Sequence, residues 1–110
     1  MKILSNRNGS YVTGTAIADA VLRYGHALAK TRDIDVVDIP FVAADGLPAR
    51  VQLTVGWCAD VNTAEHPAHD AELIDEAVTE DLDAKADGLT RGSVPFTTSE
   101  VADLSWMGWC

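Results

Sequence analysis

The spacing of apolar residues changes period along this chain, and that change limits what it can fold into. From Thr13 onward Ile17, Ala20, Val21, Tyr24 and Leu28 recur at i, i+3, i+4, i+7 and i+11, one face of an α-helix. The spacing predicts a helix over 14–31, with Thr13 as its cap. Asp19, Arg23, His26 and Lys30 share the opposite face, Asp19 and Arg23 at the favourable i, i+4 separation, so His26 is expected to face water. Gly25 costs such a helix about 1 kcal/mol relative to alanine, and marks either close approach of another backbone or simple tolerance.

Beyond that helix the period is two. Residues 34–42, IDVVDIPFV, are rich in branched and aromatic side chains, and Pro40 confines them to a sheet edge or a bulge. Asp45, Gly46 and Pro48 make a loop, after which Val51, Leu53, Val55 and Trp57 alternate with Arg50, Gln52, Thr54 and Gly56. The two runs predict a β-hairpin over 34–58, with Trp57 as a core ring and Cys58 on the other face. A shorter hairpin is expected over 2–12, turning at Asn8-Gly9 with type I′ geometry.

A second helix is expected from Pro67, at the first helical position, to Gly88, with Leu73, Ile74, Ala77, Val78 and Leu82 on its buried side. Thr97 with Glu100 three residues later reads as a capping box opening a short last helix to about Met107. The sum is an α+β fold in one domain, 1–110. Its small antiparallel sheet, an N-terminal hairpin plus the central hairpin 34–58, is packed by two main helices and a short C-terminal one. A chain of 110 residues holds one modest core and no second.

Charge narrows the functional classes. Acidic residues outnumber Lys plus Arg by 17 to 8, a net −9, whereas nucleic-acid binding needs a basic stripe to displace counterions. Direct nucleic-acid binding and attachment to anionic membranes are therefore not expected. No apolar run is long enough for a signal core or a membrane span, so the sequence reads as soluble and cytoplasmic. In that reducing compartment Cys58 and Cys110 are expected to be free, although they could pair.

The most site-like cluster is EHPAHD, with Glu65, His66, His69 and Asp70. With a helix from Pro67, His66 and His69 lie about one turn apart and could share zinc, Cys58 being the third ligand and Asp70 nearby. The order Cys, seven residues, His, two residues, His matches neither a zinc finger nor HExxH. No cofactor is therefore the expectation, and zinc the alternative. DLDAKADG imitates a calcium loop, but Lys85 and Val94 stand where that loop needs oxygen ligands. Without a G-x-S-x-G elbow, a Walker A pattern or a recognisable base near either cysteine, an enzyme is not expected.

Between Glu65 and Asp87 nine acids face only Lys85. Glu72, Glu76 and Glu80 stand in one i, i+4 row flanked by Asp75 and Asp83, a locally repulsive stripe relieved by solvent or by a basic partner. The tail SWMGWC supplies Trp106 and Trp109, either a lid on the second sheet face that brings Cys110 near Cys58, or an exposed anchor. The chain thus reads as a small acidic non-enzymatic protein-interaction domain. Its candidate contacts are Glu72, Asp75, Glu76, Glu80, Asp83, Trp106 and Trp109; a homodimer paired through 34–42 or the tail is the structural alternative.

Overall fold

The helical stripe of the first half lies in the core. Ile17, Ala20, Val21, Tyr24 and Leu28 are all buried, joined by Ala18 and Gly25. The computed structural model describes residues 1–67 and 72–92. In chain order these form β1 (Lys2–Asn6), β2 (Gly9–Thr13), α1 (Thr15–Lys30), β3 (Ile34–Val42), β4 (Pro48–Gly56), β5 (Asn62–Glu65) and α2 (Glu76–Gly92). The five strands make one sheet in the order β4-β3-β2-β1-β5, every neighbouring pair antiparallel. With the two helices this is an α+β fold. The expected C-terminal helix lies outside the described residues.

Residues opposite one another run from Lys2 and Thr13 to Asn6 and Gly9 in the first hairpin, and from Ile34 and Gly56 to Val42 and Pro48 in the second. The first turn differs from expectation. Arg7 and Asn8 close it, and among the described residues only Arg32 and Cys58 are non-glycines with positive φ, so it is not type I′. Asn6 instead holds the turn, its Oδ1 accepting the N–H groups of Asn8 at 2.8 Å and Gly9 at 3.0 Å.

Alternation places Val37, Ile39, Leu53 and Val55 against α1, where Leu4 completes the layer. Each such side chain contributes about 1.5–3 kcal/mol on leaving water. The two hairpins meet through a single registered pair, Val12 and Val42. Side chains reinforce that seam. Tyr11 and Phe41 meet edge to face with ring centres 5.3 Å apart, and Thr13 Oγ1 donates to the Pro40 carbonyl at 2.7 Å. Thr13 is therefore not the cap of α1; that position is Gly14, which has no capping side chain. The strand carrying Pro40 is second in the sheet rather than at its edge. Its missing N–H is tolerated because β2 pairs with β3 only at Val42.

Trp57 departs from the expected alternation. Gly56 adopts φ +120 and Cys58 φ +60, so the backbone swings out of the strand before the ring. A Cβ on Gly56 would stand 2.3 Å from the Asp33 carbonyl oxygen, so glycine is required there twice over. Trp57 ends half-buried with the Arg32 guanidinium 4.6 Å above its ring centre. The strand after this turn, β5, was not expected; NTAE carries neither apolar alternation nor β-branched density, and its partner β1 recruits it.

The second helix starts nine residues later than Pro67 suggests, at Glu76, and continues through Gly88 to Gly92. Asp75 is its cap, accepting the Val78 N–H at 3.2 Å. The inward stripe is consequently Val78, Leu82, Ala86 and Leu89, packed against α1, while Ile74 and Ala77 face solvent. Gly88 stops nothing: it is exposed, with open space where a Cβ would stand.

Candidate functional site

The residues proposed from sequence as zinc ligands meet different fates. Cys58 is disulfide-bonded at the turn after β4, so its sulfur is not a thiolate ligand. The expectation of a free Cys58 is thereby corrected; the chain's other cysteine, Cys110, lies outside the described residues. His66 follows β5, its N–H donating to the Met1 carbonyl at 3.2 Å and its Nδ1 buried without a hydrogen-bond partner among the described residues. His69 and Asp70 are outside them. Among the described residues no cluster of three or more His, Cys, Asp or Glu is arranged to hold a metal ion.

The acidic row divides into three groups. Glu72 precedes the helix and is not in register with Glu76 and Glu80. Its carboxylate takes the N-terminal ammonium at 2.8 Å and also accepts the Thr15 N–H, the first free donor of α1. Those two donors, the ammonium foremost, hold its pKa down at about 2. The cap that the local sequence of α1 lacks is thus supplied from the other half of the chain.

Asp83 and Asp87 form the second group. Both receive the Arg23 guanidinium, Asp83 at 3.2 Å, and the bonds to Asp87 and then Asp83 raise the arginine's pKa. Arg23 therefore crosses to α2 rather than pairing with Asp19, which instead receives Lys2 Nζ at 2.7 Å. Asp75 likewise serves structure: besides capping α2 it stands 3.8 Å from Arg50, whose Nε donates to Asp38 at 2.7 Å.

Glu76 and Glu80 are the third group. Both are exposed on the first turns of α2, and no hydrogen bond or ion pair among the described residues engages either carboxylate. They border an open groove of about 620 Å³ between the start of α1 and the start of α2, lined also by Thr15, Ala16, Asp19, Glu72, Ile74 and Thr79. Ile74, 67% exposed, is its apolar element. Sequence reasoning placed Ile74 on the buried side of a longer helix and so missed it; the Asp75 cap, with the helix signal beginning after it, would have indicated its true place.

Elsewhere the polar groups serve packing. The buried Tyr24 hydroxyl donates to Asp35 at 2.6 Å; burial and this bond push the phenol's pKa up, and the same bond pulls the carboxylate's down. His26 is exposed, as expected, beside a cleft of about 340 Å³ between α1 and α2. Trp106 and Trp109, the remaining candidate contacts, lie outside the described residues. Among those residues no helix is long and apolar enough to cross a membrane.

Compared with family models, curated proteins and solved structures, the chain matches none.

Proposed function

We propose that this chain is a small non-enzymatic interaction domain that docks a basic protein partner through the groove at the start of α2. The observation that carries the reading is the pair of carboxylates, Glu76 and Glu80, without an ion-pair partner among the described residues, beside the exposed Ile74. Apolar area with a charged border is the composition of a docking surface, and a net −9 steers cations towards it. Other acids of the stripe are already engaged inside the molecule, which focuses the reading on one end of α2. With Cys58 in a disulfide, an oxidising compartment suits the chain better than the reducing cytoplasm.

A photo-crosslinking side chain placed at Ile74 in the full chain tests this, with one at Asp45, in the β3–β4 loop, as control. A single protein bearing a basic segment, labelled from position 74 and not from 45, is the expected result. Equal labelling from both positions, or none from 74, overturns the reading.

A further inference from the structure

We infer that the occupant of this groove is a helical segment with an apolar side chain for Ile74 and two basic side chains, one turn apart, for Glu76 and Glu80. This rests on the interaction reading above and gives it a partner chemistry. The groove is bordered by four carboxylates of unequal standing. Asp19 already holds Lys2, and Glu72 already holds the N-terminal ammonium and the Thr15 N–H. Among the described residues two of the four carboxylates are left without an ion-pair partner, so the complement carries two cations.

Their spacing specifies more. Glu76 and Glu80 are i, i+4 on α2, so their carboxylates lie above one another along the helix axis. A second helix laid along the groove repeats that spacing with its own i, i+4 pair. Ile74 lies before Glu76 in the chain, so an antiparallel partner reaches it about one turn beyond the second cation, at i+7. The groove is shallow and open rather than enclosed, which suits a chain segment that covers Ile74 while its cations stay at the solvent edge.

The probe is an acetylated, amidated, alanine-rich helical peptide with Lys, Lys and Leu at i, i+4 and i+7. Its control has the same composition with the lysines at i and i+2. Titrated into the isotope-labelled full chain at low salt, the first peptide is expected to shift the Ala16, Ile74 and Thr79 amides saturably below about 1 mM. The control peptide should bind at least fivefold more weakly. A Glu76→Gln/Glu80→Gln double variant, both positions being exposed, should bind at least tenfold more weakly with an unchanged spectrum elsewhere. Equal binding of the two peptides, shifts centred on another surface, or no saturation overturns this occupant. If position 74 still crosslinks a single partner, the interaction reading stands and only the occupant's chemistry is wrong; if crosslinking fails too, both fall.

Discussion

The carboxylate of Glu72 accepts the backbone N–H of Thr15, 57 residues earlier in the chain. It thereby ties the start of α1 and the N-terminal ammonium to the segment that leads into α2. Its folded pKa of about 2 lies below the ordinary 4.5, so the stability it contributes is complete above about pH 4.5 and is lost as pH falls towards 2. Glu72→Gln should lower the thermal midpoint at pH 7. The gap to the unsubstituted protein should close over that acid window, as melting curves across pH would show.

The glycines respond in opposite directions. A Cβ on Gly14 would sit 1.8 Å from the Leu73 carbonyl oxygen, whereas one on Gly88 meets nothing within 4 Å. Gly14→Ala should destabilise by about 1–3 kcal/mol through forced displacement of the 72–75 segment. Gly88→Ala should stabilise by about 0.5–1 kcal/mol through helix propensity alone. Urea titrations of the two variants measure both.

Arg23 bridges two carboxylates of α2 from its place on α1. Arg23→Glu replaces that bridge with three like charges. The urea midpoint should fall most at low ionic strength and recover substantially near 1 M salt, where the screening length is about 3 Å. A loss independent of salt would mean that the arginine acts through packing of its stem instead.

Cys58 is in a disulfide. Unreduced protein should therefore not be alkylated at Cys58 by iodoacetamide, and reduction should expose that thiol and lower the melting temperature. Peptide mapping before and after reductant decides it.

Local pattern determined a large part of this molecule. The 3.6-residue spacing from Ile17 to Leu28 and the alternation around Val37 and Leu53 report which faces are buried, and burial is what those side chains respond to first. Hence α1, β3 and most of β4 lie where their sequences place them. The bounds of α2 and the path of Trp57 turned on single adjacent residues, Asp75 and Gly56, that outweigh competing local signals, and the existence of β5 on a partner remote in the chain. Asp75 caps where Pro67 signals a start, Gly56 turns the strand aside, and β1 offers NTAE an open edge.

The acidic stripe shows the same division. Its charges were plain in the sequence, but which of them remain available was not. Electrostatic compensation depends on distance in space: Arg23, Lys2 and the N-terminal ammonium, far away along the chain, reach Asp83 and Asp87, Asp19, and Glu72. The sequence by itself determined the composition, the net charge and the apolar faces of α1, β3 and most of β4. Only the tertiary structure decided that Glu76 and Glu80, beside an exposed Ile74, have no ion-pair partner among the described residues, because only folding brings remote cations to some carboxylates and not to others.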